Sequence, residues 1–131
     1  MAIPQPMQPE TATLLLVLGR ALLGGLFVAG GIRHFFILPA VTAAIAARGI
    51  PAPRLVLLAG SAFEVVAGAL LLLGLFVPWA SLALAVFTIA ASVMLVNFWD
   101  MEGPAREAAW NTFQSNLAII GGLFVAAAQS W

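Results

Sequence analysis

The 131-residue sequence has no cysteine, no lysine and a single histidine, and only 8% of its residues are charged. Each scarcity excludes something. Without cysteine there are no disulfides, no thiol redox chemistry, no iron–sulfur cluster, no thiolate zinc site and no covalently attached haem. One histidine, His34, cannot supply a bis-histidine haem or a His-rich metal site within one chain, so neither a metal centre nor a catalytic residue set is expected. A formal charge of zero removes the electrostatic footprint of a nucleic-acid binder. A globular domain is about one quarter charged. This chain is instead 63% hydrophobic, more apolar surface than a soluble domain of its length can hide. A membrane protein need not hide it.

What is present is organised in long apolar runs. A helix needs about 20 apolar residues to cross a bilayer core. Four stretches meet that length, at about 11–36, 55–77, 79–99 and 110–128, and predict an all-α, four-helix integral membrane bundle forming one domain over 11–131. Residues 1–10, from "MAIPQPMQPETA", lack the positive start of a signal peptide and carry three prolines, so they read as an extended or disordered arm. Four tryptophans mark the interfaces: Trp79 and Trp99 bracket the third span, Trp110 and Trp131 the fourth. Each pair lies about 30 Å apart along a helix, one bilayer core. Pro78 ends the second span in a tight hairpin. Between the first two spans, Pro39 opens and Gly49 closes a short helix, either lying on the interface or continuing the first span past a kink. Arg48, Arg54 and Arg106 sit in the two longer loops, and the termini carry no arginine. The positive-inside rule then puts those loops in the cytoplasm and both termini outside.

Ionisable and amide side chains inside such spans are costly and usually have partners. Glu64 lies near the middle of the second span, with Gly60 and Gly68 four residues to either side. Arg20, in "LGRALLGG", is its expected partner. With the first span taken as about 11–33 the two differ in depth by about 6 Å, within reach of an arginine. With it taken as about 14–36 they differ by about 10 Å, and a water or a third residue must bridge. The pair reads as a structural ion pair fixing helix register or as part of a working pocket. Arg20, Gly24, Phe27, Gly31 and His34 fall on one stripe of the first helix. His34 reads chiefly as an interfacial residue, Asn97 as a helix-end anchor, and Asn116 as interhelical glue or a ligand contact. Asp100, Glu102 and Glu107 read as a solvated loop face.

The order "LGRALLGGLFVAGGIRHF", "RGIPAP", "FEVVAGALLLLGLFVPWA", "NLAIIGGLF" resembles the DoxX family of small bacterial membrane proteins. Its first-helix arginine is matched by Arg20, its G-x-P loop by Gly49 and Pro51, its glutamate before small residues by Glu64, Ala67 and Gly68, and its fourth-helix asparagine by Asn116. Two departures are Arg33, where lysine is frequent, and Asn97, where many members carry histidine. The resemblance implies a multi-pass protein of the bacterial cytoplasmic membrane, associated with quinone-linked oxidoreductases. Three readings follow. In the first, Arg20, Glu64, His34 and Asn116 form a quinone or proton-handling pocket in an accessory subunit of an oxidoreductase complex, with quinone or lipid as the noncovalent ligand. In the second, the chain is a non-catalytic scaffold among other membrane subunits. In the third, it is a small oligomeric transporter. None makes it a standalone enzyme.

Overall fold

Proline opens every helix. The computed structural model describes residues 8–129, which form α1 (Pro9–Phe36), α2 (Leu38–Ala47), α3 (Pro53–Leu73), α4 (Val77–Leu95) and α5 (Gly103–Gln129), with a 3-10 turn at Phe98–Asp100. Pro9, Pro39, Pro53, Pro78 and Pro104 each stand at the first or second helical position. There the missing N–H removes no helical hydrogen bond, and the fixed φ suits the helix. Most of the expected arm (residues 1–7) and Trp131 lie outside the described residues, while Pro9 and Glu10 are already helical.

The same rule corrects the second boundary. Pro78 starts α4 instead of ending α3. The stop comes earlier, at Gly74, whose φ of 76° is left-handed. Its N–H donates to the Leu71 carbonyl at 3.2 Å, and the Leu75 N–H donates to the Leu70 carbonyl at 2.8 Å, the double closure that ends many helices at glycine. The short helix over Leu38–Ala47 forms where Pro39 and Gly49 predict it. It follows α1 past a kink at the single residue Ile37, whose N–H still donates to the Arg33 carbonyl, and α2 folds against α3, burying Ile45. α5 begins at Gly103, seven residues before the expected Trp110.

Three helical stretches are long and apolar enough to cross a membrane: Pro9–Phe36, Pro53–Leu73 and Val77–Asp100. Four were expected. α5 has the length, but Gln114, Ser115 and Asn116 dilute its apolar run. It completes the bundle by packing along α4 and closing on α1, as α1 packs along α3 and α3 on α4. Large apolar side chains point outward from all four long helices, among them Leu22, Val66, Val86 and Val125, each at least 60% exposed. A surface of that kind is matched by lipid tails rather than water.

Glycines bring α1 and α3 together. A Cβ on Gly24 would lie 2.6 Å from the Gly68 carbonyl oxygen and 2.7 Å from the Leu72 nitrogen. One on Gly31 would lie 2.8 Å from the Ser61 carbonyl oxygen. Close backbone approach through small residues is how helices gain packing energy where lipid removes the hydrophobic drive between them. The stripe of Gly24, Phe27 and Gly31 is thus the buried face of α1. Next to it Phe27, Ala67, Leu71, Val77, Leu84, Ala85, Ile120 and Leu123 form the packed core, in the half of the bundle nearer the α3–α4 hairpin.

Candidate functional site

The other half is hollow. Between the C-terminal half of α1, the N-terminal half of α3, the end of α4 and the start of α5 lies a cavity of about 380 Å³. α1 contributes His34, α3 contributes Ser61 and Glu64, and α5 contributes Thr112 and Asn116. Val41 and Ile45 of α2, with Phe87 and Met94 of α4, supply apolar wall. Of the four pocket residues expected from sequence, three meet here: His34, Glu64 and Asn116.

Local packing holds each in place. Gly31 sits so close to Ser61 that His34, one turn further along α1, reaches α3. A hydrogen bond of 3.0 Å joins His34 Nδ1 and Ser61 Oγ. His34, in the last turn of α1 at the loop end of the bundle, is therefore half-buried and bound to a neighbouring helix. Asn116 Nδ2 donates to Ser92 Oγ at 2.9 Å, and Ser92 Oγ donates to the Thr88 carbonyl at 2.6 Å. Thr88 Oγ1 in turn donates to the Leu84 carbonyl at 2.7 Å. This ladder joins α5 to α4 and orients the amide, leaving Asn116 Oδ1 as the acceptor it offers the cavity. Glu64 is buried, and its Oε2 lies 3.7 Å from where a Cβ on Gly30 would stand, so the carboxyl faces α1.

The expected Arg20–Glu64 ion pair is absent. The glycine contacts set the register: Gly24 lies opposite Gly68 and Gly31 opposite Ser61. Arg20 is then level with Leu72 and Glu64 with Val28, two helical turns or about 12 Å apart. The 11–33 boundary misplaced the pair because α1 overruns the hairpin end of α3 by about 15 Å, and the 14–36 boundary, at about 10 Å, comes close to the observed separation. Arg20 instead extends to the hairpin, where a Cβ on Gly74 would lie 3.0 Å from Nη1. A cation at that position also meets the negative end of the α3 dipole. Gly60, Glu64 and Gly68 likewise do not share one neighbour: Gly68 packs on α1, and Gly60 on Phe87 of α4.

A model of the DoxX family matches residues 15–97, more than half of the chain. The chain belongs to the DoxX family. The matched segment runs from α1 through α4 and holds Arg20, His34 and Glu64. α5, with Asn116, lies beyond it. No curated protein and no solved structure matches the chain. This DoxX protein is thus an integral membrane helical bundle whose cavity draws mainly on the matched segment.

Arg48, Asp100 and Asn97 close the loop end. Arg48 Nη2 lies 4.0 Å from Asp100 Oδ2, and Asn97 Nδ2 donates to the same oxygen at 3.0 Å. Asp100 is exposed, as expected of a solvated loop face, and also faces Arg48 just past the end of α2, and the buried Asn97 is a loop tie more than an anchor. Trp99 and Trp110 gather at this end: the Phe98 ring centroid is 5.3 Å from that of Trp99 and 4.8 Å from that of Trp110. Trp79 lies at the opposite end, beside the hairpin. Sequence reasoning did not single out Ser61, Thr88, Ser92 or Thr112. A signal was present in α4, where Ser81, Ala85, Thr88 and Ser92 repeat at spacings of four, three and four, one small polar face.

Proposed function

We propose that this membrane protein is an accessory, quinone-proximal subunit of a respiratory-type oxidoreductase complex in a bacterial cytoplasmic membrane. In this reading both termini face outward and the longer loops face the cytoplasm. One observation supports it above the rest: three hydrogen-bonding side chains from three helices, His34, Glu64 and Asn116, converge on one mostly apolar cavity, with the Ser61 and Thr112 hydroxyls beside them. Binding sites for small molecules have this character, mostly apolar walls with a few placed polar groups. A quinone headgroup presents two carbonyl acceptors on an apolar ring, and its quinol form presents two donors. Glu64 and His34 can donate to the one and accept from the other, and Asn116 Oδ1 can accept from a quinol hydroxyl. The electrons come from a partner subunit, and the chain's own part is to seat the ring and exchange protons with it.

The test is mass spectrometry of the protein extracted with its native lipids, read for quinone and for co-purifying proteins together. The expected result is stoichiometric quinone, lost in Glu64→Gln at unchanged protein level and weakened in Asn116→Leu. A stable partner complex with no quinone would sink this reading and leave the scaffold role, with the polar groups serving only to fix the bundle.

A further inference from the structure

A second cavity, of about 430 Å³, lies at the opposite end of the bundle. It is bounded by the first half of α1, the α3–α4 hairpin and the end of α5. Thr13, Leu16, Arg20, Gly74, Trp79 and Gln129 are among the residues lining it. Three properties define its chemistry. Its cation has no full counter-charge within the protein, only the C-terminal dipole of α3: among the described residues Arg20 has no carboxylate partner, and its Nε is buried without a hydrogen bond. The hairpin is shaped around that cation. Gly74 carries no Cβ, and one would come within 3.0 Å of Nη1 and 3.4 Å of Cζ. No acidic residue lines the cavity among those described, while Thr13 and Gln129 add a hydroxyl and an amide donor.

A guanidinium with neutral donors beside it and no carboxylate is suited to an oxyanion, and its planar fork matches phosphate two bonds at a time. The position narrows the source. The cavity is level with the hairpin turn and with Trp79, and tryptophan favours the headgroup level of a bilayer. Its remaining wall is apolar (Leu16, Phe76, Val77), and Phe76 is 70% exposed at its edge. The ammonium of a zwitterionic headgroup would find no acidic partner there. We propose that this cavity holds the phosphate of an anionic membrane phospholipid, with Arg20 as its principal ligand. The site is separate from the loop-end cavity, and it stands or falls independently of any quinone there.

The experiment is native mass spectrometry of the full chain, delipidated in detergent and offered equal amounts of phosphatidylglycerol and phosphatidylcholine, with and without millimolar inorganic phosphate. The wild type should retain phosphatidylglycerol about threefold over phosphatidylcholine: both offer Arg20 a phosphate, and the difference is the choline ammonium, a like charge without an acidic partner there, an effect on the scale of one partly exposed charge pair. Arg20→Gln should bring the two to parity. Arg20→Lys should keep part of the preference, since it keeps the charge but loses the fork. Arg33→Gln, at the other end of α1, should leave the preference intact. Equal retention of the two lipids by the wild type overturns the proposal, and that result does not depend on any variant folding. An unchanged preference in Arg20→Gln also overturns it. Capture of inorganic phosphate with no lipid preference overturns the lipid assignment in favour of a soluble anion.

Discussion

The two halves of the bundle have taken opposite solutions to the same composition. Toward the hairpin, Leu71, Leu84 and Leu123 are fully buried and touch across α3, α4 and α5. Toward the loops, the same helices part around a cavity lined by Ser61, Glu64 and Asn116, with the exposed Thr112 at its edge and the buried Ser92 behind Asn116. Arg20 and Glu64, two charges that look like partners, ended up in different halves. The difference teaches where stability and chemistry reside. Dense packing carries the fold at one end. That frees the other end to hold polar groups that a packed core would penalise.

The sharpest way to break this comparison is to hollow out the packed half. Leu84→Ala leaves a void at a fully buried site and should cost about 3 kcal/mol. Unfolding in detergent micelles, followed by circular dichroism, measures it. A cost near zero would mean that the hairpin half is not the anchor. Gly24→Ala comes next, at about 2 kcal/mol, because its methyl would meet the Gly68 and Leu72 backbone, which cannot rotate aside. Gly121→Ala is its control: nothing lies within 4 Å of the added carbon, so stability should hold or rise slightly. A smaller effect belongs to the polar half. Asn116→Leu removes the α4–α5 hydrogen bond and should cost about 0.6 kcal/mol, the average for interhelical bonds in membranes. A loss of several kcal/mol there would show that the polar ladder, and not the core, holds α5.

The architecture was legible in the sequence to the extent that length and apolarity decide it. α1, α3 and α4 fall near their expected places, and Pro39 and Gly49 bound α2 as read. Helix ends were harder, because a proline both ends one helix and starts the next. At Pro78 the stop signal was Gly74, four residues earlier. The site was legible in part. His34, Glu64 and Asn116 could be picked out as polar residues in apolar runs, and they do share a cavity. Their partners could not, because serine and threonine on α4 bond their own helix carbonyls and hardly register in hydropathy. Arg20 was misplaced for a different reason. The depth of a side chain depends on how two helices slide past one another, and that register is set by Gly24 on Gly68 and Gly31 on Ser61. Composition and spacing identify such glycines as packing devices without saying which pairs with which.

The smallest expected stability change also separates the halves most cleanly. Ala85 and Ala91 lie less than two turns apart on α4. Ala85 is fully buried in the core, and Ala91 lines the loop-end cavity. Replacing either by leucine adds the same three carbons. At Ala85 they have no space, and overpacking should cost about 1–3 kcal/mol. At Ala91 they enter existing volume, so stability should stay within about 0.5 kcal/mol of the wild type. The same side chain would then occupy room that a ligand headgroup needs. Ala91→Leu should therefore fold as the wild type does yet lose whatever the cavity retains, read by melting temperature and bound quinone on one preparation. If both leucines destabilise equally, the cavity is no true void. If Ala91→Leu is stable and keeps its quinone, the ligand sits elsewhere, and the convergence of His34, Glu64 and Asn116 is architecture.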